Sequence, residues 1–240
     1  MYHFKHLDSP RLHFFPADRE DLLCQPAVLR RHLAVRLRFQ HRHGKLLGVG
    51  HGLAWDFVEL PSQFMENFAV QKDFLHTFAR HYQTGELIPD ELVQRIVDSA
   101  NFNVAYACLR QVSFGLLDMA WYTRTEPFEG DVEQYERQAW ARAQVLPDIP
   151  GTCMSVQFSH IFAGGYSAGY YSYKWAEVLD ADAFALFKER GIFNPEVAAS
   201  FRHHILERGG TEHPMILYKR FRGQEPTIDA LLIRNGIPRT

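Results

Sequence analysis

The stretch FSHIFAGGYSAGYYSYKWAEV, residues 158–178, sets one histidine and a glycine pair ahead of four tyrosines. A phenol ionises at about pH 10, so at neutrality it is an uncharged proton donor. Several phenols converging on one point can hold an oxyanion without placing charge in the ground state, which is what acyl transfer requires. Gly164 and Gly165 let the backbone bend around a substrate or take a positive φ. Tyr166, Tyr170 and Tyr173 fall at i, i+4 and i+7, one face of a helix that starts at this point, with Tyr171 directed elsewhere. His160 can donate or accept a hydrogen bond in the same place. An aromatic core stripe with wetted hydroxyl tips also fits the spacing.

A second stretch, WDFVELPSQFMENF, carries two carboxylates in apolar company. Glu59 and Glu66 lie seven residues apart, two helical turns, among Phe57, Val58, Leu60, Phe64, Met65 and Phe68. A buried carboxylate needs a partner. From the spacing alone, salt bridges to arginines on neighbouring helices are the expected partners, and a metal ion, with one acid as ligand and the other in support, is the alternative.

The elements that must position these groups read as helices from about Trp55 onward. Pro61 and Ser62 open an apolar-periodic run through Phe78, with proline where a first turn tolerates it. Asp90 after Pro89 caps a face made of Leu92, Ile96, Val97, Ala100 and Val104, predicted to continue through Leu116 and Met119. GDVEQYERQAWARAQV places acids early and arginines late, matching a helix dipole. Residues 146–158 are broken by two prolines and a glycine and predict a loop with one strand. A helix follows over about 167–190, then one opened by Asn194 and Pro195 and stopped by Gly209. Thr211 and Thr227 are the expected caps of two last helices, the second ending at Gly236. The fold class is mostly α, with at most a few short strands.

Composition narrows the setting. The chain of 240 residues is 46% hydrophobic and 22% charged, ordinary for a globular protein with a sizeable core. No apolar run approaches the length that spans a bilayer, and no apolar leader follows Met1. Three scattered cysteines, Cys24, Cys108 and Cys153, predict no disulfide framework and a reducing, cytoplasmic setting. Residues 1–50 hold nine Lys and Arg against four Asp and Glu, and six of the 13 histidines. That basic segment has no interleaved aromatics or nucleic-acid fold signature, so a solvated segment is expected rather than a nucleic-acid arm.

WDFVELPSQFMENF, the tyrosine stretch through VLDADAF, and ERGGTEHPMILYKRFRGQEP resemble, in order, the thimet oligopeptidase/oligopeptidase A family of zinc metallopeptidases. The likeness runs from about Gly50 to the C-terminus and is strongest toward the bacterial oligopeptidase A and dipeptidyl carboxypeptidase branch. The resemblance implies the C-terminal part of a multi-helix, zincin-like catalytic domain that hydrolyses short peptides in the cytoplasm. It implies one Zn2+, with Glu59 as a ligand and zinc-bound water attacking the peptide carbonyl. By the same resemblance His160 contacts the peptide, and Tyr166 and Tyr173 bond the scissile carbonyl and the tetrahedral intermediate. Gly164, Gly165 and Tyr170 are the further substrate-binding positions of that loop.

One family feature does not occur in the sequence. The His-Glu-x-x-His helix that supplies two zinc ligands and the general base has no counterpart. About thirty residues before Glu59 the chain reads VLRRHLAVRL, with His32 but no second histidine one turn on. His41, His43 and His51 are the remaining imidazoles near Glu59 in sequence. Residues 1–48 are therefore expected to be an atypical segment, from a truncated or frame-shifted gene, and 49–240 the family part. A separately encoded N-terminal half is a conceivable partner, and a non-catalytic remnant that binds peptides or a partner is the alternative function.

Overall fold

The computed structural model describes residues 2–4 and 53–237. The expected segment 1–48 beyond residues 2–4, with His32, His41 and His43, lies outside them, as does His51. As expected, the described chain is mostly helical. Two three-residue strands, β1 (Tyr2–Phe4) and β2 (Ala79–His81), pair antiparallel with Tyr2 opposite His81.

The centre of the molecule is α1 (Leu60–Glu66) packed on the long α7 (Ser172–Arg190). Pro61 sits in the first turn of α1, where its missing N–H is no loss. Leu60 and Phe64, one turn apart, point into the core together. On α7 the inward positions Ala176, Leu179, Ala183 and Phe187 recur every three to four residues, with Phe184 beside them, and the alanines let the helices approach closely. The core is built of phenylalanines: Phe64 stacks on Phe201 at 4.1 Å and meets Phe187 edge-on at 5.0 Å. Removing one such ring costs about 3–5 kcal/mol.

Around this pair stand α2 (Lys72–His76), α3 (Asp90–Ser99), α4 (Val104–Tyr122), α5 (Val132–Trp140), the single turn α6 (Ser159–Phe162), α8 (Pro195–Phe201), α9 (Pro214–Arg222) and α10 (Asp229–Arg234). Two buried ion networks tie α7 to the C-terminal helices. Asp180 accepts from Asn67 and Arg234, and Asp182 accepts from Tyr218 at 2.7 Å and Arg222 at 3.2 Å.

Several local expectations are corrected. The helix predicted from Asp90 through Met119 is two helices, because Asn103 takes a left-handed conformation with φ 57° and turns the chain between them. The strand predicted within residues 146–158 is a series of turns. The helix predicted from about residue 167 begins at Ser172, because Ala168 is left-handed with φ 53°. The helix opened by Asn194, whose side chain accepts from the N–H of Glu196 and Val197, does not run to Gly209. It widens into a π turn over Arg202–Leu206. The cap before α9 is His213, which accepts from the N–H of Met215, rather than Thr211. Before α10, Ile228 takes the place expected of Thr227, whose hydroxyl bonds Asp229.

Candidate active site

Glu59 is the residue on which α1 begins, and it is 2% exposed. Its carboxylate caps no N–H of the first turn, but the positive end of the helix dipole favours a negative charge there. The Ser62 hydroxyl donates to Oε2 of Glu59 at 2.9 Å, a contact set by the i, i+3 spacing in ELPS. The Tyr166 hydroxyl donates to Oε1 from 107 residues away, so the acid and the phenol converge on one point. Tyr166 is 3% exposed.

The tyrosines meet by a different route from the one their spacing predicts. Only Tyr173 lies on α7; Tyr166 and Tyr170 precede it in the turn that Ala168 creates. The turn nevertheless brings them together. Tyr166 and Tyr173 stack at 5.0 Å, and Tyr170 lies 5.0 Å from Tyr173. The His160 ring is exposed and stands 6.3, 6.0 and 6.4 Å from those of Tyr166, Tyr170 and Tyr173. Tyr171 points away into a shallow pocket of about 200 Å³ shared with Trp175 and His213. Glu66 is separate from Glu59: it lines a long groove with Gln63, Lys174, Glu177 and Asp180.

The glycine pair is needed where it stands. A Cβ on Gly164 would lie 2.9 Å from the backbone of His160, and Gly165 has φ +87° with the Trp55 ring 3.0 Å from where its Cβ would be. The Trp55 indole packs edge-on against Tyr166 at 4.8 Å while remaining half exposed. Gly164 and Gly165 thus shape a tight turn whose walls are His160 and Trp55.

Four residues missed in the sequence complete the site: Trp55, Ser62, Gln111 and Asp118. Asp118, fully buried on α4, accepts from the N–H of Ala168 and of Tyr170, each at 2.9 Å. Burial pushes its carboxyl above the usual range, and the N–H bonds from Tyr170, Ala168 and Gly169 oppose that rise. Gln111, two turns earlier on α4, accepts from the Tyr170 hydroxyl at 3.2 Å. Burial pushes the Tyr170 phenol up to about 12, Tyr173 adds to the shift, and Gln111 and Arg110 reduce it. The signals were faint: an isolated acid in SFGLLDMAWY and a serine three residues after Glu59.

The arrangement can do two things chemically. A Tyr166 hydroxyl turned from the carboxylate to a carbonyl oxygen would donate to it and to the oxyanion it becomes. A buried carboxylate whose oxygens accept such hydroxyls can also serve as one hard donor to a divalent cation. It is one donor only. Among the described residues no three His, Cys, Asp or Glu side chains converge as a metal site, so they do not make a zinc site by themselves. Nor, among the described residues, is any helix long and apolar enough to cross a membrane.

Comparison with known proteins places this geometry. The model of "Peptidase family M3" matches residues 41–237. The chain is similar to oligopeptidase A of Escherichia coli, 47% identical over 187 residues that cover 78% of this chain and 28% of that protein. It is similar to a probable cytosolic oligopeptidase A of Arabidopsis thaliana, 40% identical over 199 residues, 81% of this chain and 28% of the relative. Similarity extends to the dipeptidyl carboxypeptidase of Escherichia coli, 40% identical over 184 residues, 76% of this chain and 27% of that enzyme. The chain thus spans less than a third of the length of these curated relatives. With the match covering most of the chain and the acid, glycine pair and phenols inside it, the chain belongs to peptidase family M3.

Proposed function

We propose that the chain carries the carbonyl-polarising side of a zinc-dependent endopeptidase centre that hydrolyses short peptides. The observation that carries the reading is the meeting of Glu59 with Tyr166, beside the stacked Tyr173, at the mouth of the Gly164–Gly165 turn. In this reading Tyr166 and Tyr173 donate to the peptide carbonyl oxygen as it gains negative charge, and act most strongly where charge develops. His160, exposed at the rim, bonds the peptide, while Gly164, Gly165 and Tyr170 shape its bed. Glu59 is the donor offered to zinc, and the other donors come from outside the described residues. Short peptides of a cytoplasmic pool are the proposed substrates, with neither nucleic acid nor membrane as partner.

One observation favours a second reading, a non-catalytic remnant that binds peptides or a partner chain. No His-Glu-x-x-His occurs in the 240 residues of the sequence. A separately encoded N-terminal half is the partner that would restore the missing donors. Zinc content and cleavage of an internally quenched short peptide separate the readings. Near-stoichiometric zinc with cleavage supports the peptidase. Protein that stays metal-free and inert after zinc addition, yet binds the peptide, supports the remnant.

A further inference from the structure

We propose that Asp118 is a positioning residue for the tyrosine loop, a carboxylate clamp that holds the left-handed Ala168 turn and thereby sets where the phenols of Tyr166 and Tyr173 lie. The proposal rests on the functional reading of those phenols, although its geometry stands independently. Between α6 and α7 the chain must reverse, and it does so through Ala168 at φ 53°. An L-residue with a Cβ is disfavoured there, at a cost of about 1–2 kcal/mol that the surroundings must offset. Asp118 supplies the offset. Its two carboxylate oxygens each take one backbone N–H, Oδ1 from Ala168 and Oδ2 from Tyr170, bracketing Gly169.

The rest of the α4 face acts with it. Gln111, Phe114, Asp118 and Tyr122 are spaced by three to four residues and so share one stripe. Gln111 receives the Tyr170 hydroxyl, and Phe114 meets the Tyr170 ring edge-on at 5.7 Å. Tyr122 donates to the carbonyl of Ile161, which also receives the Ser167 hydroxyl. These contacts all fall on the stretch from Ile161 to Tyr170. The start of α1 holds the acid, and α4 holds the turn from which Tyr166 reaches it. A bidentate charge at the turn fixes both N–H vectors, which a single neutral acceptor cannot do.

The test labels the protein with 3-fluorotyrosine and assigns the 19F resonances of Tyr166 and Tyr173 by their Phe variants. Asp118→Asn keeps the shape but turns an NH2 toward one of the two N–H groups. The expected result is a shift or broadening of both resonances at unchanged helix content. Adding Ala168→Gly to Asp118→Asn should return them toward their original positions, because glycine holds a positive φ without the clamp. A general loss of packing would not be rescued by that one change. Resonances in folded Asp118→Asn that coincide with the unaltered protein would overturn the proposal.

Should Asp118→Asn fail to fold, amide exchange in the unaltered protein decides. The Ala168 and Tyr170 amides are expected to exchange on the order of a hundredfold slower than that of exposed Ser167, and equal rates overturn the clamp. Neither readout needs catalysis. Failure of the oxyanion role of Tyr166 would show instead in peptide hydrolysis, leaving these spectra unaffected.

Discussion

Two buried tyrosine–carboxylate pairs flank the long helix α7, and they differ in what surrounds them. Tyr218 donates to Asp182, and the Arg222 guanidinium donates to the same oxygen; Tyr218 also bonds the carbonyl of Leu179. Tyr166 donates to Glu59, where Ser62 adds a second hydroxyl, beside an exposed imidazole, a half-exposed indole and a glycine turn. The first pair lies among helices, with Tyr218 in the Phe-rich core and a cation that balances the acid at its edge. The second joins a loop to a helix start and opens toward solvent at His160. A pair balanced internally holds the scaffold together. The pair of hydroxyls around Glu59, buried but beside an exposed imidazole, is the one on which the proposed peptide site rests.

The largest expected effect is on the scaffold pair. Asp182→Ala removes the carboxylate that Tyr218 and Arg222 share, leaving them the Leu179 carbonyl and Glu189, and should lower unfolding free energy by about 3 kcal/mol in urea titrations. Isosteric changes sharpen the contrast. Asp182→Asn still faces a guanidinium and should cost about 1.5–3 kcal/mol. Glu59→Gln keeps the shape and a carbonyl oxygen for a hydroxyl, so it should move stability by less than about 1.5 kcal/mol. Equal losses for the two would erase the distinction between scaffold and site.

A smaller effect should appear on the site side at high pH. Tyr170 is pushed up to about 12 in the folded chain, chiefly by burial, against about 10 when unfolded. Its contribution to stability is fully present below pH 10 and is lost as pH rises through about 12, since the unfolded chain ionises first. Absorbance titration of the phenols at 295 nm, compared with Tyr170→Phe, should show one late-ionising group missing from the variant. A Tyr170 that titrates with the exposed tyrosines would contradict the packing described around Gln111 and Phe114.

Much of this was legible in the sequence where the determinant is local. Pro61 at the start of α1 and Asn194 as a cap act within one turn of their own positions, and both stand where expected. The meeting of Glu59 with the phenols was legible through motif order, although the helical-face argument for it fails because Ala168 breaks the helix. Asn103 is a residue type that tolerates left-handed φ, so the break before α4 had a visible mark; Ala168 has none. Its conformation depends on Asp118, 50 residues away, and no pattern within a window of the chain contains that dependence. Trp55 and Gln111 were missed for the same reason: their partners are remote in sequence and near only after folding.

The most direct test of the account is the rate of peptide cleavage by zinc-supplemented protein, compared between the unaltered chain and Tyr166→Phe at equal folded concentration. The expected result is a fall in kcat of about 10²–10³ with KM little changed, the loss produced by removing one oxyanion donor. Equal kcat values in the two proteins would remove Tyr166 from the chemistry and contradict the reading of Glu59 and the phenols as one catalytic site.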